Sequence, residues 1–136
     1  MQKKSGIKNT SPLPTGFLER RIIMVDRQEE MYGMIRKLFE YDLKLLDEKI
    51  PANGIWGVCE IPDSGYHGAV RVIPTHFAGD EYALWIDVFQ TIYDPIYSNS
   101  LSKGSLQDMK NWLKNEEHIQ EVYDCMHHLK MLAEDE

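Results

Sequence analysis

Cysteine is scarce in this sequence: Cys59 and Cys125 stand 66 positions apart in a chain of 136 residues. That is no disulfide framework, and a chain of this length can build a core without staples. Two reduced thiols are expected, with one long-range bridge as the alternative. Long apolar runs are missing too. None approaches the ~20 residues that a membrane helix requires, and the lysines near the start are followed by no apolar h-region. The expected location is the cytoplasm, with no membrane partner. Positive charge is short, the formal net charge being −7. Residues 1–25 set Lys3, Lys4, Lys8, Arg20 and Arg21 against Glu19, which makes +4 and leaves −11 for the rest. Within 60–94, Arg71 alone faces six acids. So acidic a part repels phosphate backbones, so no nucleic-acid partner is expected, the basic N-terminal stretch being the one exception. Finally, no G-x-S-x-G, P-loop or G-x-G-x-x-G occurs. No cofactor is expected.

What is present reads as one domain. Residues 1–15 are polar, basic and broken by Gly6, Pro12 and Pro14, and are expected to form a disordered tail. Residues 16–136 are expected to form a single α+β domain. Phe17–Val25 has helical spacing at Leu18, Ile22 and Val25, with an edge strand as the alternative. Asp26 with Glu29 three residues on predicts a helix start. From there to about Lys49 the apolar residues fall in two adjacent lanes, Met31-Met34-Leu38-Tyr41-Leu45 and Tyr32-Ile35-Phe39-Leu43-Leu46-Ile50. So wide a face needs more than one neighbour. Pro51 to Gly54 stops the helix.

Three strands are predicted, at Gly54–Ile61, Gly68–Phe77 and Tyr82–Tyr93. The last, YALWIDVFQTIY, is the richest run of strand-formers in the chain. The short turns at 62–65 and 78–81 make the pairing an antiparallel meander. Pro74 cannot donate to a ladder and should break or bulge the second strand. Residues 94–104 read as a polar loop. Ser105 with Asp108 opens a helix to about Leu113. Asn115 can cap the last helix, whose stripe is Ile119, Val122, Met126, Leu129 and Ala133.

The expected fold is therefore α+β, in the order α-β-β-β-α-α: a three-stranded antiparallel meander covered on one face by helices, a two-layer sandwich. In outline this order resembles double-stranded-RNA-binding domains, with Ser102-Lys103-Gly104-Ser105 ahead of a helix as the local match. The lysine-rich helix start that such binding needs is missing. At the level of fold and charge the chain is also similar to small acidic chaperones, adaptors and toxin-immunity proteins.

Three constellations are candidates for chemistry. If Pro62–Gly65 is the loop, Glu60 faces His67 and Trp56 faces Arg71, and alternation puts all four on one sheet face. A carboxylate beside an imidazole is an acid/base pair, and Arg71 suits an anion. The plain reading is a cross-strand salt bridge with Arg71 stacked on Trp56. Asp87, in the strongest strand, shares a face with Trp85 and Phe89. Buried, it needs Arg71 or His76 as a partner, or else becomes a perturbed functional acid. On the last helix His118, Glu121, Cys125 and His128 share a lane, but its ends lie about 15 Å apart at 1.5 Å per residue. A metal could take only a neighbouring pair, such as Cys125 and His128, with further ligands from elsewhere, and no metal is expected.

Tyr66, Tyr82, Tyr93 and Tyr97 fall at strand ends and loops, where tyrosine suits a binding surface. Together these features predict a non-enzymatic protein-binding module, monomeric or homodimeric, that offers an exposed sheet face to a basic protein. The alternative is an enzyme or small-ligand site built on Glu60, His67, Arg71 and Asp87.

Overall fold

The structure is a computed structural model that describes residues 15–48, 53–76, 79–91 and 96–135, with side chains from Gln28 onward. The expected tail before Thr15 lies outside the described residues. The order is α1 (Thr15–Glu48), β1 (Ile55–Glu60), β2 (His67–Pro74), β3 (Tyr82–Phe89), β4 (Tyr97–Gly104), α2 (Leu106–Lys114) and α3 (Glu117–Glu134). The class is α+β: a helix, an antiparallel sheet, then two helices. No described helix is long and apolar enough to cross a membrane.

The chain divides into two units, Met1–Glu30 and Met31–Glu136. The described part of the first is helical throughout. Asp26 therefore does not start a helix; it lies inside α1, and residues 17–25 are helix rather than strand. The reason is local. No proline or glycine interrupts residues 17–32, and an interior aspartate costs only about 0.7 kcal/mol against alanine. A capping residue caps only where the preceding chain leaves helical geometry.

The second unit holds the sheet, with strands in the order β1-β2-β3-β4 and every neighbouring pair antiparallel. The sheet has four strands, not three. The fourth is YSNSLSKG, within the stretch that reads as a loop because serine, asparagine and glycine are poor strand-formers. It forms because β3 offers a full set of main-chain partners, and an edge strand needs few apolar residues. Tyr97 and Leu101 pack against the core, and the rest is polar. A bulge leaves Leu101 extra, since Leu84 pairs with Ser102 and Trp85 with Ser100. The fourth strand also removes the outline likeness to an RNA-binding domain. β2 ends at Pro74, where a ladder donor is lost, and β3 ends at Phe89.

Alternation assigns the faces. Ile55, Val70, Val72, Leu84, Ile86 and Val88 join one core with Ile35, Leu38, Phe39 and Leu46 of α1, Met109 and Leu113 of α2, and Ile119, Val122, Met126 and Leu129 of α3. Two glycines let the helices close on this face. A Cβ on Gly68 would stand 2.7 Å from the Met126 sulfur, and one on Gly57 would stand 3.1 Å from Asp42 Oδ1.

The helix α2 starts as its sequence predicts, whereas the cap position of α3 is Glu116, without a side-chain bond, and Asn115 closes α2. Ser105 Oγ accepts from Asp108 N–H at 3.1 Å while Asp108 Oδ2 accepts from Ser105 N–H at 2.9 Å, a complete capping box on α2. Asn115 Oδ1 accepts from Glu117 N–H at 3.0 Å at the start of α3.

Candidate functional site

The other sheet face contributes nothing to that core. It carries Trp56, Val58 and Glu60 from β1, His67, Ala69 and Arg71 from β2, Trp85, Asp87 and Phe89 from β3, and Ser98 and Ser100 from β4. The Ile61–Tyr66 hairpin sets its register. Ser64 Oγ donates to Ile61 O and accepts from Tyr66 N–H, while Ile61 N–H donates to Tyr66 O at 2.8 Å. Counting back from that bond pairs Glu60 with His67, Val58 with Ala69 and Trp56 with Arg71, as the loop length predicts.

At the centre of this face is an ion pair. Arg71 Nε donates to Asp87 Oδ2 at 2.9 Å and a terminal nitrogen donates to Oδ1 at 3.2 Å. Ser98 Oγ donates to the same Oδ1 at 2.6 Å. Asp87 is 1% exposed. A carboxylate so buried is tolerated because its charge is matched bidentately and its second acceptor site is filled. Arg71 lies over the Trp85 ring, 5.6 Å from its centroid, rather than on Trp56. Asp87 thus spends its acceptors on structure.

The Glu60–His67 pair does not assemble as acid and base. They are opposite in register, but no hydrogen bond joins them among the described residues. The His67 ring stacks on Phe89 at 5.5 Å, with its Nδ1 buried and without a hydrogen-bond partner. Trp56 reaches Phe89 as well, at 5.9 Å. Ala69, between His67 and Arg71 on the same face, is fully buried. Trp56 and Val58 nevertheless remain 45% exposed.

The other expected residues lie elsewhere. Tyr66, Tyr82 and Tyr97 are half-buried and packed on the core, and Tyr93 is outside the described residues. Cys125 is buried and His128 exposed, although they share a lane of α3. His118 stacks on Trp112 at 4.0 Å with Nδ1 2.7 Å from the Trp112 carbonyl oxygen. Among the described residues no three histidine, cysteine or acidic side chains group as a metal site. Both cysteines are free thiols. Burial pushes the Cys59 thiol up to about 11, against a hydrogen bond with the Gly68 backbone, and burial also raises that of Cys125. Thiols held protonated in this way are poor nucleophiles.

Two features were not expected from the sequence. The first is Asp42, fully buried on α1 against Gly57, with neither oxygen hydrogen-bonded among the described residues. Burial pushes its carboxyl up to about 8, which favours the neutral form at pH 7. The second is a groove of about 380 Å³ beside β1, lined by Lys37, Leu38, Tyr41, Trp56, Gly57 and Val58. A signal for Asp42 was present. Ile35, Phe39, Asp42 and Leu46 are spaced 4, 3 and 4, which places the carboxyl on the buried stripe.

Compared with family models, curated proteins and solved structures, the chain matches none.

Proposed function

We propose that this protein is a non-catalytic binding module that engages a basic protein through the sheet face bearing Trp56, Val58, Arg71 and Trp85. The observation that carries this reading is the half-exposure of Trp56 beside Val58 on a face outside the helix-packed core. Tryptophan dominates binding energetics because a rigid ring desolvates a large area at little entropic cost. The titratable groups on this face argue against catalysis, since Asp87 is consumed by Arg71 and Ser98, and His67 stacks instead of meeting Glu60. Residues 31–136 hold 18 acidic against 9 basic side chains. Such a field speeds encounter with a basic partner and makes the rate fall with salt.

The test is capture of partners on tagged protein at low and high salt, run in parallel with Trp56→Ala. The expected result is one stoichiometric protein, retained at low salt and lost both at high salt and from the variant. An empty capture, or one indifferent to Trp56, overturns the reading. One observation favours the alternative of a small-ligand site: the buried, unpartnered Nδ1 of His67. A ligand supplying a donor or acceptor to that nitrogen would raise the melting temperature of the wild type but not of His67→Phe.

A further inference from the structure

We propose that Asp42 is a latch on the edge strand: protonated, it lets α1 lie closed over Gly57 of β1, and on losing its proton it takes up water and releases β1 from α1 while β2, β3 and β4 stay folded. The device acts on the strand that carries Trp56, and it stands whatever that face binds.

The geometry sets a buried acid against a lightly held strand. Asp42 is fully buried, and neither of its oxygens has a hydrogen-bond partner among the described residues. What meets it from β1 is Gly57. A Cβ there would stand 3.1 Å from Asp42 Oδ1, 3.2 Å from Tyr41 Cδ1 and 3.3 Å from Leu38 Cδ2. The carboxyl and two neighbouring side chains of α1 thus close on bare main chain. β1 has little else to hold it. It pairs with β2 alone. Of its residues only Ile55 adds a large buried side chain to the core, with Cys59 packed at the margin. β2 contributes Val70 and Val72, and β3 contributes Leu84, Ile86 and Val88. Segments with few buried apolar contacts are those that open at a lower free energy than global unfolding.

Water has a short way in. Leu38, Tyr41 and Gly57 also line the groove of about 380 Å³ beside β1, and Tyr41 is 49% exposed. An ionised carboxylate without a partner is far costlier to bury than a neutral acid. Ionisation therefore turns the closed contact into one that gains by opening toward the groove.

No neighbouring charge offsets that cost. On α1, Lys37 is the one charged side chain that lines the groove; it is exposed, and it draws a carboxylate outward. On β1, the Cys59 thiol is held protonated, burial pushing it up to about 11, and Glu60 lies on the opposite sheet face. Arg71 of β2 is on that face too, where it holds Asp87 at 2.9 Å. On α2, Lys110 is engaged by Asp47 at 2.9 Å. α3 adds to the core only apolar side chains and the Cys125 thiol. Burial is thus what raises the Asp42 carboxyl.

The test is native-state amide exchange of the full chain, corrected for base catalysis, with the carbon-13 signal of the Asp42 carboxyl followed over the same pH range. An opening that returns Asp42 to water releases one proton, so it becomes about tenfold more frequent per pH unit between 3.8 and about 8. Global unfolding follows the same slope, and what the latch adds is a separate opening confined to β1 and the facing part of α1. The expected result is that β1 amides exchange through this opening at a lower free energy than β3 amides, with the tenfold dependence, while the carboxyl titrates above about pH 6. In Asp42→Asn the β1 opening should lose its pH dependence. Where that variant fails to fold, the wild-type exchange and titration decide the matter. A carboxyl that titrates below about pH 6, β1 amides that exchange only together with those of β3, or a β1 opening with the same slope in Asp42→Asn overturns the proposal.

Discussion

The two outer strands of the sheet are made of opposite materials and are held by opposite means. β1 is apolar, and Ile55 and the close approach at Gly57 tie it to α1 through the core. β4 is polar and is tied by its main chain and by Ser98 to the buried carboxylate of Asp87 on β3, which Arg71 on β2 neutralises. Each fastening contains one buried carboxyl. On the β4 side it is paired and charged; on the β1 side Asp42 is unpaired and pushed toward its neutral form by burial. The lesson is that a sheet edge can be secured by hydrophobic packing or by a satisfied polar network. The first leaves a sticky strand and the second a solvated one.

Three substitutions sharpen that contrast. The largest effect is expected from Arg71→Ala. It strands the Asp87 carboxylate in a site that is 1% exposed, and leaving a buried charge unpaired costs roughly 3–5 kcal/mol. Urea unfolding should show that loss, and Arg71→Ala with Asp87→Ala should recover part of it. A loss under about 1 kcal/mol would mean the pair does not secure β4.

On the β1 side the expected effect depends on pH. In the unfolded chain Asp42 ionises near 3.8, and in the folded chain only near 8. Between those values the folded state holds a proton that the unfolded state has lost, so stability falls as pH rises from about 4 to about 8 and levels off above. Asp42→Asn should flatten that slope and be more stable than the wild type at pH 8 by several kcal/mol, each pKa unit being worth about 1.4 kcal/mol. Equal slopes for the two proteins would show that the carboxyl is solvated.

The smallest effect is expected from Ser98→Ala, about 1–2 kcal/mol, for one hydrogen bond to a buried charge. Its signature is local: faster amide exchange in β4 with β1 unchanged.

Much of this architecture is legible in the sequence because it rests on short-range rules. The helix α2 announces itself through Ser105-x-x-Asp108, residues that satisfy orphan amides wherever a helix begins. The Pro62–Gly65 turn, closed by Ser64, determines the β1–β2 register, and with it the common face of Trp56, Glu60, His67 and Arg71. Asp87 is visible as a charge in an apolar strand, and Arg71 was one of its two candidate partners. Of the four tyrosines expected at strand ends and loops, Tyr66, Tyr82 and Tyr97 are half-buried and pack against the core, and Tyr93 lies outside the described residues.

The sequence by itself therefore determined the helical stripes, the hairpin register and the alternation that sorts side chains onto faces, since each depends on residues within a turn or two of one another. Tertiary structure decided the rest. It made a strand of YSNSLSKG, because β3 presented an unfilled row of main-chain partners. It buried Asp42, because α1 comes close where Gly57 carries no side chain. It also made β1 rather than β4 the apolar edge, because strand order, which no local propensity encodes, put IWGVCE on the outside.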